Sequence, residues 1–176
     1  MSTPVRRPEA VTFRGTPMTL LGNELKVGDP APDFTVLAQD LSPITLASTG
    51  SGVRVFSVVP SLDTGICDLQ TRRFVEEVAK LPGTSLLTVS VDLPFAQKRW
   101  CGAAGHPEAR TGSDHRDLSF GLAYGVVIEE LRLLARSVFV VDADNRIAYA
   151  EYVPEVGQHP AYEAALAAAR QAQAGN

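Results

Sequence analysis

Two cysteines, Cys67 and Cys101, are the only thiols in the chain, and three histidines stand apart at positions 106, 115 and 159. Neither the C-x-x-C spacing of a dithiol exchanger nor the spacing of a zinc site is present, so no metal is expected. In a reducing compartment a structural disulfide is improbable, which leaves two readings: small inert core residues, or a redox couple. Cys67 follows the turn-forming run Pro60-Ser-Leu-Asp-Thr-Gly-Ile and opens a stretch in which Cys67, Thr71, Phe74 and Val78 recur at helical spacing. The first turn of a helix has unpaired N–H groups and the positive end of the dipole, both of which favour a thiolate. Asp63 or Thr64 can cap that helix, and Arg72 and Arg73 add positive potential. On spacing alone, an inert buried cysteine stays the commoner state.

Ionisation by itself yields little. A thiol of pKa about 8.5 is a few per cent ionised at neutral pH, so complete ionisation gains at most ~30-fold, about 2 kcal/mol. Nucleophilicity falls with pKa at a Brønsted slope near 0.45, which takes back roughly tenfold for a drop of ~2.5 units. A nucleophilic Cys67 therefore needs neighbours that act on the electrophile and on the charge developing at the leaving atom.

The elements that must position these residues alternate along the chain. Val11 to Lys26 predicts a hairpin around Gly15-Thr16-Pro17, with residues 1–10 expected to be flexible. Phe34–Leu37, Ile44–Leu46 and the dense β-branched run Val53–Val59 read as strands; the Cys67 helix runs to Leu81. Ser85–Val91 is a further strand. A short helix from Pro94 ends at Cys101, with Gly102 as its C-terminal glycine. A loose stretch covers 102–115, a helical segment Leu118–Tyr124, a hairpin Ser137–Val141 with Ile147–Tyr152, and an alanine-rich helix Pro160–Ala172. This order predicts an α/β chain with a mixed central sheet flanked by helices on both faces. That is the thioredoxin-like layout with an N-terminal β-hairpin extension. The 176 residues suffice for one domain, 1–176, burying roughly 70% of the unfolded surface without staples.

Composition excludes some partners. The formal charge is -4, from 16 Lys+Arg against 20 Asp+Glu, and no basic stretch suits a phosphate backbone, so nucleic acid is not expected. Apolar runs such as Ser137–Val141 fall short of the ~20 residues of a membrane span. Met1–Ala10 has two arginines with no apolar segment behind them, and a cytoplasmic location is expected.

Val59-Pro-Ser-Leu-Asp-Thr-Gly-Ile-Cys-Asp-Leu-Gln-Thr-Arg-Arg-Phe74 contains the P-x-x-x-T-x-x-C arrangement of peroxiredoxins and resembles their thiol peroxidase branch, the atypical two-cysteine group. The resemblance continues through Arg99–Gly105, Asp117–Gly125 and Leu134–Asp142, nearly the whole chain from the hairpin to the last helix. It implies a thioredoxin-like fold and reduction of hydrogen peroxide and small alkyl hydroperoxides. Cys67 matches the peroxidatic cysteine that becomes a sulfenic acid. Thr64 matches the threonine whose hydroxyl bonds the thiolate and the peroxide, Pro60 the residue that shields the sulfur, and Arg136 the arginine that holds the thiolate and orients the O–O bond. Cys101 matches the resolving cysteine, whose intramolecular disulfide with Cys67 is reduced by thioredoxin. No cofactor is implied, and a homodimer is. In isolation each residue has a plainer role, Thr64 as a cap, Pro60 as a loop stiffener, Arg136 as a surface charge and Cys101 as packing.

The chain departs from the family pattern at Gly65, where proline is usual, and between Val127 and Arg136, where it is shorter. Bridging requires the two Cα atoms within about 7 Å, so local unwinding at Cys67, at Cys101 or at both is expected on oxidation. Two other roles compete: a redox sensor or binding module that oxidises about once, and a thioredoxin-type exchanger, against which the missing C-x-x-C speaks.

Overall fold

The computed structural model describes residues 2–175. The described chain runs β1 (Arg6–Phe13), β2 (Thr16–Leu21), β3 (Thr35–Leu37), β4 (Pro43–Thr45), β5 (Val53–Val58), α1 (Gly65–Val78), β6 (Thr84–Ser90), α2 (Pro94–Ala103) and β7 (Thr111–Ser113). It continues with α3 (Ser119–Ala123), β8 (Val127–Ile128), β9 (Leu133–Leu134), β10 (Ser137–Val141), β11 (Ile147–Tyr152) and α4 (Tyr162–Ala174). One sheet has the order β11-β10-β5-β6-β7-β3-β4, and a second joins β1-β2-β8-β9. Within the large sheet β5, β6 and β7 are parallel and the outer strands antiparallel, the mixed thioredoxin-like arrangement expected.

Alternation along the central strands sorts their side chains into two cores. Val53 and Val55 of β5 and Val138 and Val140 of β10 pack with Phe74 and Val78 of α1 and Leu166 of α4. Phe56, Val58, Phe139 and Val141 point the other way, against Phe34, Phe120 and Tyr124. In that second core Phe120 and Tyr124 stack at 4.2 Å between ring centroids, and Phe34, Phe56 and Phe139 meet them edge-on.

Four segments differ from the sequence reading. β1 begins at Arg6, inside the segment expected to be flexible: Arg6 and Arg7 pair with Leu21 and Leu20 ahead of an irregular stretch that ends at Val11, Arg6 binds Glu129 and the Arg7 Nε donates to the Gly22 carbonyl at 3.0 Å. α2 does not stop at Cys101; it continues to Ala103, and Gly105, at φ 78°, supplies the left-handed step that ends it. Gly102 lies inside the helix. β7 falls inside the stretch read as loose, because Thr-Gly-Ser carries no apolar alternation. Its glycine answers to close packing, since a Cβ at Gly112 meets Val36 Cγ2 at 2.5 Å. The two-residue strands β8 and β9, too short to register as a pattern, complete the small sheet against β2.

Asp114 follows β7 and is almost wholly buried, accepting from the N–H groups of Phe120 (3.0 Å) and Gly121 (2.7 Å) at the start of α3. Burial pushes its carboxyl from the ordinary 3.8 up to about 6, against those hydrogen bonds. The folded state therefore holds a proton the unfolded chain releases, and this group's share of stability is full below about pH 4 and declines as pH rises to about 6. Asp114→Asn does not ionise. Its deficit against wild type in urea unfolding is expected to be smaller at about pH 7 than at about pH 4, by up to roughly 3 kcal/mol.

Candidate active site

Cys67 lies in the first turn of α1, entered through Thr64 in an extended conformation (φ −126°, ψ 150°). The loop between β5 and α1 is held by one carboxylate at the end of β6. Asp92 Oδ1 accepts from the Ser61 hydroxyl at 2.8 Å, and Oδ2 from the Leu62 N–H at 2.8 Å and the Ser90 hydroxyl at 2.7 Å. Pro60 is buried where β5 ends, and the Cys67 side chain, fully buried, packs with Val59, Leu62 and Trp100. Thr64 is exposed and its hydroxyl donates to the Ser61 carbonyl at 3.2 Å, not to the sulfur as the resemblance implied. The turn at 61–64 offers that carbonyl as a nearer acceptor, a local bond common to threonines at helix starts. A Cβ at Gly65 meets nothing within 4 Å, so the space a proline ring would take is open.

Arg136 is only 2% exposed, although β10 and its neighbours are apolar. All three of its guanidinium nitrogens are used. Nε donates to the Val156 carbonyl at 2.8 Å, Nη1 to Gln70 Oε1 at 2.7 Å and Nη2 to Cys67 Sγ at 3.2 Å. Among the described residues no carboxylate lies within ion-pair distance of it. A guanidinium keeps its charge in any protein environment, and a buried charge without a counter-charge costs several kcal/mol. The Cys67 sulfur is thus the group on hand to carry the compensating negative charge.

Cys101 lies in α2 with its sulfur turned elsewhere. It accepts from Gln39 Nε2 at 3.4 Å, near the Ala109 carbonyl and the Thr111 hydroxyl that the same amide reaches. Burial pushes its thiol above the ordinary value, with the Gln39 amide pulling the other way. Both cysteines are free thiols. The helices that carry them are tied together by Arg72, whose Nε pairs with Asp68 at 2.8 Å, whose Nη1 donates to the Ala104 carbonyl at 2.8 Å and whose guanidinium lies 5.7 Å from the centre of the Trp100 ring. Arg73 faces outward, pairing with Glu163 at 2.8 Å and covering Tyr162.

The structure thus brings Cys67 and Arg136 into contact beside Pro60 and leaves the Thr64 hydroxyl and Cys101 outside that contact. Two residues of the site escaped the sequence reading. Gln70 is fully buried, one turn after Cys67, and its Nε2 donates to the Ser57 hydroxyl at 2.8 Å while its Oε1 holds Arg136. The signal was available: a polar residue three positions after a cysteine shares its helix face. Asp92 gave no such sign, because a carboxylate just past a strand is ordinary in sequence. Among the described residues no three His, Cys, Asp or Glu side chains converge as a metal site.

Residues 26–166 match the Redoxin family model. The thiol peroxidase of Halalkalibacterium halodurans is 66% identical over 163 residues, covering 93% of this chain and 98% of that protein. The thiol peroxidase of Bacillus subtilis is 58% identical over 160 residues, covering 91% and 96%. Among solved structures, a peroxiredoxin-like protein from Aquifex aeolicus superposes with a TM-score of 0.86 at 38% identity, covering 93% of this chain and 97% of its own.

Gln70 links Arg136 to Ser57 and contacts the outside nowhere, so Gln70→Leu, close in volume, leaves both of those groups short of a partner. It is expected to lower the unfolding free energy in urea by about 2 kcal/mol.

Proposed function

The chain belongs to the redoxin family, as a thiol peroxidase of the peroxiredoxin kind, and from that premise we propose how it reduces hydroperoxides. The observation that carries the reading is the 3.2 Å contact between the Arg136 guanidinium and the Cys67 sulfur at a buried helix start. Cys67 is the peroxidatic residue. Its thiolate attacks the terminal oxygen of the hydroperoxide; a sulfur–oxygen bond forms, the O–O bond breaks and the leaving alkoxide or hydroxide takes up a proton. The sulfur is oxidised to a sulfenic acid and the peroxide is reduced to alcohol or water.

Arg136 serves both ends of that step. It holds the thiolate before attack and lies beside the oxygens on which charge develops, the kind of preorganised stabilisation that outweighs any gain from ionising the sulfur. Pro60 and the packed Val59, Leu62 and Trp100 keep bulk water off the sulfur. Thr64 is the residue that turns its hydroxyl from the Ser61 carbonyl toward the bound peroxide. A sulfur this enclosed favours hydrogen peroxide and slim alkyl hydroperoxides, admitted past the 60–64 loop.

Cys101 is the resolving residue. Its thiol displaces water from the sulfenic acid to form the intramolecular disulfide. Since the two sulfurs have separate surroundings, the first turn of α1 or the end of α2 unwinds on the way, releasing the Arg72 bond to the Ala104 carbonyl. A thioredoxin-type dithiol then restores both thiols by exchange. The working form is a homodimer in the cytoplasm, for which the exposed Leu93 and Phe95 at the start of α2 offer an apolar contact.

Peroxide consumption coupled to thioredoxin and its reductase tests the scheme. Wild type is expected to turn over many equivalents, Cys67→Ser none, and Cys101→Ser to react once without being recycled by thioredoxin. A single equivalent consumed by wild type, or full turnover by Cys67→Ser, sinks the reading. Arg136→Met separates the two tasks of the guanidinium. Alkylation of Cys67 by iodoacetamide is expected to change only a few-fold, while the second-order rate with hydrogen peroxide drops by about two to three orders of magnitude.

A further inference from the structure

The N-terminal hairpin lies far from Cys67 in sequence, yet its turn is docked on the segment that carries one of the three acceptors of Arg136. β1 and β2 are joined by the two-residue turn Arg14–Gly15, both with left-handed φ (52° and 78°), which presents its N–H groups outward. Those groups meet the Glu155 carboxylate. Oε1 accepts from the Arg14 N–H at 3.0 Å and Oε2 from the Gly15 N–H at 3.1 Å. Oε2 also accepts from the Thr12 hydroxyl at 2.7 Å, and Oε1 from the Gly157 N–H at 3.0 Å. Two backbone bonds flank the carboxylate, Thr12 N–H to the Pro154 carbonyl at 2.7 Å and Val156 N–H to the Thr12 carbonyl at 2.9 Å.

We propose that Glu155 is a positioning residue for peroxide reduction: its carboxylate, gripping the hairpin turn on one side and the Gly157 N–H on the other, fixes the Val156 carbonyl that aims Arg136 at Cys67. The inference deepens the peroxidase reading above and rests on it. Its core is the planarity of one peptide unit. The Val156 carbonyl and the Gly157 N–H belong to the same rigid plane and point in opposite directions across it. Holding that N–H on Glu155 Oε1 sets the rotation of the plane, and the carbonyl on its other side accepts from Arg136 Nε at 2.8 Å. Residues 153–157 lie between β11 and α4; the isolated bridge of Glu155 with Thr12 and the turn closed by the Gln158 N–H on the Glu155 carbonyl at 2.9 Å hold the chain on either side of this plane, and the plane's own two polar groups are taken by Arg136 and Glu155. Beyond the bonds to Thr12, the segment is anchored by the Val153 N–H on the Arg136 carbonyl at 3.0 Å and by Val156 packed among Val11, Met18, Leu20, Ile128 and Ala135. The four donors fill the accepting capacity of a carboxylate and pull its pKa down to about 2, so the clamp stays charged across the working pH range.

Glu155→Gln keeps the shape but replaces one accepting oxygen with an NH₂ group that must face at least one of the four donors. Two quantities read the outcome in the full-length protein. One is hydrogen exchange of the Arg136 Nε–H, followed by NMR; the other is the single-turnover rate with hydrogen peroxide. Both are expected to change together, exchange rising and the peroxide rate falling by about tenfold or more, while reduction of the oxidised protein by thioredoxin proceeds as in wild type. Thr12→Val, which removes one donor of four, is expected to give a smaller change of the same sign and serves if Glu155→Gln does not fold. A folded Glu155→Gln within about twofold of wild type in both readouts overturns the proposal, and so does a slower peroxide reaction with an unchanged Nε–H. If wild type itself consumes no peroxide, the peroxidase reading fails, and the exchange comparison still decides whether Glu155 positions Arg136.

Discussion

A guanidinium shut away from water must find partners for its hydrogens and a counterpart for its charge, and the residues around Arg136 are arranged by that demand. Its three nitrogens reach a backbone carbonyl, a side-chain amide and a sulfur, and the first two are neutral. The unsatisfied part of the demand is electrostatic, and it falls on Cys67. Three pieces of the fold are needed for this: the arginine stands immediately before β10, α1 carries both the sulfur and Gln70, and the irregular 153–157 segment carries the carbonyl. Ser57 of β5 holds Gln70 from behind, so the polar line passes between α1 and the central sheet without a break.

Much of this was legible in the sequence, and the exceptions have physical causes. The run from Pro60 to Phe74 and the strand beginning after Arg136 carry patterns, a cysteine at a helix start and an apolar strand with one basic residue at its edge, that give the elements but leave the cysteine and the arginine open to plainer roles. The resemblance added roles to them. What did not read directly was orientation. A threonine three residues before the cysteine reads as reaching for the sulfur, but a carbonyl in its own turn is closer. The end of α2 was misjudged because two glycines stand within four residues of each other, and only backbone torsion tells that Gly105, not Gly102, leaves the helix. Gln70 was hidden by its surroundings, a polar residue on a face defined by apolar ones. Glu155 and Asp92 were hidden by the commonness of exposed carboxylates, whose importance lies in which backbone groups the fold delivers to them.

The two thiols sit in opposite environments. Cys67 faces a fixed cation, whereas Cys101 faces neutral amide and hydroxyl groups in a buried place that disfavours its ionised form.

The small cluster of Val59, Leu62, Cys67 and Trp100 is separate from the larger aromatic and aliphatic cores on the two faces of the sheet. It holds few side chains, and Phe74 and Val78 farther along α1 belong to the larger core. In the cycle proposed above, unwinding at Cys67 draws on this small cluster alone, and the two larger cores that hold the sheet lie outside it.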